Sequence, residues 1–153
     1  MLIRRAKSED LKEIDRIYCE GGITEMKLQF NNSREKSIRE FKKHKKTREA
    51  SFRRGLKNPS QYWIVSIDNG RILGFGQASM KKKGRIEKIY VDKGIRNRGI
   101  GSGIIKELLS WLKKKKAKDV NAWIFVKNIP SIKLHKKFGL KLVSINMWRK
   151  LRC

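Results

Sequence analysis

A chain of 153 residues is long enough for one domain with a single core and short for two. Its 40 lysines and arginines stand against 14 aspartates and glutamates, a formal charge of +26. That balance favours anionic partners (nucleic acid, ribosomes, a membrane surface, a phosphate-bearing cofactor) and argues against a cationic small substrate unless acidic residues cluster locally.

No run of about 18 apolar residues occurs, so the sequence offers no membrane-spanning helix. The basic start MLIRRAKSEDL lacks the apolar centre of a secretion signal. Cys19 and Cys153 form no disulfide or metal-binding pattern, and no metal site is expected. These features together predict a reducing, cytoplasmic setting.

In chain order, Leu2 to Ala6 reads as a first strand, with Ser8 as N-cap of a helix striped by Leu11, Ile14 and Ile17. Gly21-Gly22 is expected to end that helix. Residues 31–58 carry eleven lysines and arginines against Glu35, Glu40 and Glu49, a net of +8. Ser33 can cap a helix there, and Ile38, Phe41 and Phe52 give it a sparse apolar side. Two readings stay open: a solvated helix covering one face of the core, and a basic arm over a substrate groove, for RNA among others. His44, among lysines, needs no special role.

Pro59 closes that segment. Tyr62 to Ile67 is a strand, Asp68-Asn69-Gly70 a hairpin turn, and Arg71 to Met80 the returning strand, with Gly74 and Gly76 as candidates for a bulge. The meander continues through Lys81–Gly84 into Arg85–Val91, where residues alternate with a period of two. From Ile100 the apolar positions Ile104, Leu108 and Leu112 recur at helical spacing, to about Lys116. Between strand and helix lies Arg96-Asn97-Arg98-Gly99-Ile100-Gly101. A strand entering a helix through such a turn leaves main-chain N–H groups free at the positive end of the helix dipole, a seat for phosphate. The alternative is a plain connection whose glycines only ease the turn. Asp119 to Val126 reads as a buried strand, and Trp63, Trp111, Trp123 and Trp148 as core or groove-lining residues. Asn128 to Leu140 reads as a short helix closed by Gly139.

With both motifs in view, the chain resembles the GNAT family of N-acetyltransferases. The family's turn Arg/Gln-x-x-Gly-x-Gly/Ala is matched by Arg96, Gly99 and Gly101. Its later pattern Asn-x-x-Ala-x-x-Leu-Tyr-x-x-x-Gly-Phe is matched by Asn128, Leu134 and Gly139, with Ser131 in the small-residue place. The resemblance implies an α/β fold, a mixed and mostly antiparallel sheet flanked by helices and splayed at its centre, filling residues 1–153 as a single domain. It implies acetyl-CoA as donor, with the pyrophosphate on N–H groups from Arg98 to Ser102 (Arg98, Gly99, Ile100, Gly101, Ser102), beside Arg96 and Asn97. The main chain of Ile89, Tyr90 and Val91 would hold the pantetheine arm, and Asn128 would touch the cofactor beyond the splay.

Transfer to a primary amine needs that amine neutral, hence a base or a water relay. Glu87, four residues before Val91, is expected to share a face with Ile89 and Val91. It resembles the carboxylate of polyamine-acetylating members, and a salt bridge to a lysine is its other reading. His135 stands where many members have a tyrosine that acts as acid toward sulfur, and a spacer role is the alternative. Lys93 replaces a usual proline, and Leu140 to Arg152 is short for the family's last two strands. The acceptor stays open: a protein N-terminus or lysine, or a small amine such as a polyamine or an aminoglycoside. A homodimer is compatible with the sequence. A rival from another class is a GNAT-like binding module that holds nucleic acid or ribosomes on its basic surface without turnover.

Overall fold

The computed structural model describes residues 1–151. Five strands form one sheet in chain order: β1 (Leu2–Arg5), β2 (Gln61–Asp68), β3 (Arg71–Met80), β4 (Gly84–Val91) and β5 (Val120–Ala122). The first four pair antiparallel and β5 joins β4 in parallel, the mixed sheet the sequence implied. Asn69 and Gly70, both at positive φ, make the tight turn between β2 and β3 that matches strand twist.

Helices α1 (Leu11–Phe30), α2 (Arg34–Lys43) and α3 (Lys45–Lys57) cover one face; α4 (Ile100–Lys114) and α5 (Ile129–Lys137) cover the other. On the first face Ile14, Ile17 and Phe52 meet Trp63, Val65 and Phe75. On the second, Ile104, Ile105, Leu108 and Leu112 of α4 lie fully buried against Ile64, Ala78 and Ile86. Each such aliphatic side chain contributes about 1.5–3 kcal/mol relative to exposure. A Cβ at Gly76 would collide with Ile104 and Leu108, so the bare strand lets α4 lie close to the sheet.

Several expectations need correction. Helix α1 does not stop at Gly21-Gly22 but runs to Asn31, which caps it in the left-handed region. The glycines serve packing: a Cβ at Gly21 would enter the Tyr90 ring, and one at Gly22 the Phe41 ring. Ser8 lies inside a single 3-10 turn instead of capping α1. The polar anchor there is buried Asp10, which accepts the Lys7 N–H at 2.7 Å and pairs with Arg4. Ser33 caps α2 through the Lys36 N–H, and the basic segment breaks at His44 into two helices. The bulge on β3 falls at Leu73, beside Gly74, where the register with β2 shifts.

Strand β5 spans only three residues of the expected eight, and Trp123, at 74 % exposure, leaves the core. Trp63 is buried, whereas Trp148 is exposed and meets only the edge of Phe30 among aromatic rings. After Leu140 the described residues form no strand, so the expected final hairpin is absent from them. Cys19 is a free, half-buried thiol; Cys153 lies outside the described residues. Among the described residues no group of His, Cys, Asp and Glu is arranged to hold a metal, and no helix is long and apolar enough to cross a membrane.

Candidate active site

Strands β4 and β5 stay paired only from Gly84–Val120 to Ile86–Ala122. At the next residue the β3–β4 register shifts: Gln77 faces Lys88 and Ala78 faces Ile86, which leaves Glu87 as the extra residue of a bulge. A bulge bends and twists its strand. Beyond it β4 continues along β3, while the chain after β5 diverges. Asp92 gives its N–H back to Leu73 on β3, so by alternation the N–H and C=O groups of Ile89 and Val91 point into the gap and those of Tyr90 toward β3. Ile89 and the N–H of Val91 therefore offer a free strand edge, while the Val91 carbonyl is met by Arg96.

Past that edge the chain turns into α4. Gly99, the N-cap, sits at φ 77°, a conformation an L-residue adopts at a cost, and Asn97 takes φ 65°. The first bond of α4 runs from the Gly103 N–H to the Gly99 carbonyl at 3.0 Å. The N–H groups of Ile100, Gly101 and Ser102 precede it without helical acceptors. Gly101 serves packing: a Cβ there would stand 3.1 Å from Leu134 of α5, so the glycine lets α5 lean on the mouth of α4. Arg96 reaches back to the Val91 carbonyl at 3.4 Å. Arg98 lines a second cavity of about 460 Å³, between the turn and the β2–β3 hairpin. Asp92, which sequence reasoning passed over, holds the strand end in place. It is buried, accepts from Arg16 and Arg71 at 2.9 Å each, and these bonds keep its carboxyl below the usual range against the cost of burial. A lone acid between a strand and a basic turn was the available signal.

The gap between β4 and β5 holds a cavity of about 130 Å³, bounded by α1, β4, the chain after β5, and α5. Glu87 and His135 both line it. Glu87 does not share a face with Ile89 and Val91, because the bulge reverses the alternation. Its carboxylate accepts from Ser79 Oγ at 2.6 Å, on the face toward α1 and α3, while Ile89 and Val91 pack toward α4. No lysine pairs with it among the described residues. Lys88 sits beside it, its ammonium on Gln77 Oε1 at 3.0 Å and above the Trp63 ring, and burial lowers its pKa.

His135 is buried, with Nδ1 2.8 Å from the Ser131 carbonyl. A carbonyl only accepts, so Nδ1 carries the proton and Nε2 of the neutral ring is bare. Burial keeps the imidazole below its ordinary pKa, against the raising effect of that bond. At neutral pH His135 is thus an acceptor at Nε2 and must gain a proton before it can give one.

Asn128 caps α5, taking the Ser131 N–H on its carbonyl oxygen at 3.2 Å, and its amide donates to Glu25 Oε1 at 3.0 Å. Glu25 Oε2 accepts the Tyr90 hydroxyl at 2.9 Å. Sequence reasoning missed Glu25, whose position on α1 became legible only once that helix ran through Gly21-Gly22. Burial pushes its carboxyl up, only partly offset by Tyr90, Asn128 and the charge of Arg96. Desolvation also raises the Tyr90 phenol, so that hydroxyl stays a donor.

A strand edge open toward a diverging neighbour, ending at free helix N–H groups, suits a long thin ligand with a phosphate end. Comparison with known proteins agrees. The sequence profile of the acetyltransferase (GNAT) family matches residues 25–140. An uncharacterised N-acetyltransferase of Methanocaldococcus jannaschii is 27% identical over 109 residues, which cover 66% of this chain and 48% of that protein. The chain thus matches about half the length of that curated relative. Among solved structures, the tetramutant of the BH1408 protein from Bacillus halodurans superposes with a TM-score of 0.81 at 18% identity, over 99% of this chain and 100% of that one. The PaiA N-acetyltransferase from Thermoplasma acidophilum, in complex with coenzyme A, gives 0.78 at 17% identity, over 95% and 92%. The chain belongs to the GNAT family of acetyltransferases.

Proposed function

We propose that the protein transfers an acetyl group from acetyl-CoA to a primary amine by direct attack of the amine on the thioester. The observation that carries this reading is the parting of β4 and β5 at Glu87, which leaves the Ile89 main chain and the Val91 N–H open in line with the free N–H groups of α4. The donor, when bound, supplies an activated carbonyl with a thiolate leaving group. Ile89 and Val91 hold its arm as an added strand would be held. The N–H groups of Ile100, Gly101 and Ser102 take its pyrophosphate, flanked by Arg96, Asn97 and Arg98. Asn128 serves by fixing α5 and Glu25, in place of the direct cofactor contact expected of it.

The attacking nitrogen must shed a proton. Glu87, at the bulge and on the cavity wall, is the proposed acceptor. The proton that leaves the amine reaches the departing sulfur by way of Nε2 of His135, which accepts it and then donates it, so a relay replaces a simple acid role. The acceptor arrives over the face carrying α1 to α3, where ten of the eleven lysines and arginines of residues 31–58 are exposed. That surface supports recruitment of amines carried on RNA, ribosomes or another polyanion in the cytoplasm.

Calorimetric titration with acetyl-CoA tests the reading. Wild-type binding, and its loss in Gly99→Glu and Gly101→Glu, is expected; no binding by wild type at either of two salt concentrations would end the enzyme reading. Given an acceptor, Glu87→Gln should slow transfer by about 10²-fold and flatten the low-pH fall in kcat/KM, and His135→Phe should lower kcat by hindering protonation of the departing sulfur. Wild-type turnover across pH in both variants would remove the two residues from the chemistry.

A further inference from the structure

Arginine neutralises the enclosed aspartates of this fold: Asp10 has Arg4, Asp15 has Arg48, and Asp92 has both Arg16 and Arg71. Glu25 is the exception. It is partly buried where α1, β4 and the start of α5 converge, yet among the described residues it makes no ion pair. Its two hydrogen-bond partners, Tyr90 and Asn128, are neutral donors, one to each oxygen, and the nearby charge of Arg96 acts on it without forming an ion pair. In a chain with 40 lysines and arginines, a want of cations does not explain this. A carboxylate can accept about four hydrogen bonds, so each oxygen keeps a free lone pair beside the cavity it lines.

The rest of the cavity wall decides what kind of cation fits. Trp123, Ile124 and Phe125 present aromatic and aliphatic surface along the diverging chain. Lys88, the lining residue of opposite charge, is turned away onto Gln77 and Trp63. We infer that Glu25, oriented by Tyr90 and Asn128, binds the ammonium group of the acceptor, and that the acceptor is a primary ammonium on an aliphatic stem. The stem lies along Trp123 and Phe125, where the hydroxyls of a polyhydroxylated amine would lose water against apolar surface, while the polar lining at Glu87, Ser131 and His135 belongs to the other walls of the cavity, β4 and α5. This local negative site resolves the conflict between a cationic substrate and the overall charge of +26. That the bound ammonium lies next to the thioester rests on the function proposed above; the ammonium site itself does not.

The test titrates n-butylammonium chloride into the full chain, followed by ligand-detected NMR, with n-butanol and glucosamine as comparators. Butylammonium should bind saturably, butanol should not, and glucosamine should bind more weakly. Glu25→Gln should weaken butylammonium by about tenfold or more. Glu20→Gln, on the exposed side of α1, should leave it unchanged. Tyr90→Phe, which removes only an orienting hydroxyl, should weaken it less and gives the answer if Glu25→Gln does not fold. Absence of saturable binding, equal binding of butanol, or wild-type affinity in the folded Glu25 variant would each overturn the inference. Acetyl-CoA affinity is measured in parallel. Ammonium bound through Glu25 without coenzyme binding would end the acetyltransferase reading and leave this site standing; coenzyme binding without ammonium binding would do the reverse.

Discussion

Glu25 holds a carboxylate in surroundings that favour its neutral form, and this sets a pH signature. Its folded pKa lies above the unfolded value, because desolvation outweighs the hydrogen bonds from Tyr90 and Asn128 and the charge of Arg96. Between those two values the native state binds more protons than the unfolded chain, so Glu25 costs stability as pH rises through that window. Glu25→Gln should therefore melt higher than wild type at pH 7, and the gain should vanish below the ordinary carboxylate range near pH ~4. His135 contributes in the opposite sense: its depressed pKa gives stability that is full above the ordinary imidazole value and lost as pH falls through the folded value. That contribution is common to both proteins and cancels in the difference. Thermal melts of the pair from pH 4 to 8 make the check; a lower melting temperature for the variant at pH 7 would mean that its hydrogen bonds outweigh its desolvation.

At the level of elements, Gly21 links α1 to the cavity. A Cβ there would enter the Tyr90 ring, and Tyr90 in turn holds Glu25. Overpacking of this kind costs about 1–3 kcal/mol. Gly21→Ala should thus lower the melting temperature, although alanine is the better helix former by about 1 kcal/mol. Gly103→Ala meets only the flexible ends of Ile3 and Met1 and should be neutral or stabilising; equal melting of the two variants would remove the packing role of Gly21. The same contact explains what the sequence showed and what it hid. The β2–β3 hairpin, the amphipathic α4 and the Gly99 turn were legible because local chemistry dictates them: Asn69-Gly70 for the turn, helical apolar spacing for α4, a positive φ for Gly99. The length of α1 was not, since a glycine pair that ends an isolated helix can equally admit two aromatic rings, and those rings come from residues 41 and 90. Nor was the face of Glu87 legible. Strict alternation places it with Ile89 and Val91, and one unpaired residue in the β3–β4 register moves it to the other side of the sheet. The parting of β4 and β5 follows from that same bulge, so site and misreading have one cause.

For the molecule as a whole, charge is organised in two tiers. The half-buried arginines are structural: Arg4, Arg16 and Arg48 each pair with an acid, and Arg48 is the one cation of residues 31–58 turned inward. The exposed lysines and arginines of α2 and α3 have few acidic partners, and pairs such as Lys45–Glu49 at 4.0 Å are too open to offset much charge. A surface of this kind binds polyanions through counterion release, with a log–log salt slope of about −0.7 per phosphate contact on single strands. Single-stranded RNA should therefore bind at low salt and be released steeply as salt rises. Replacing Lys42, Lys43, Lys45 and Lys46 together by glutamine should flatten the slope by about 3 if all four touch phosphate. Acetyl-CoA affinity should barely change in that variant, because the α4 N–H groups lie on the opposite face of the sheet from α2 and α3. Fluorescence anisotropy over a salt series, run on both proteins beside the coenzyme titration, separates the two surfaces. An unchanged slope would move polyanion binding elsewhere, and a joint loss of RNA and coenzyme affinity would mean that both anions share the seat at α4.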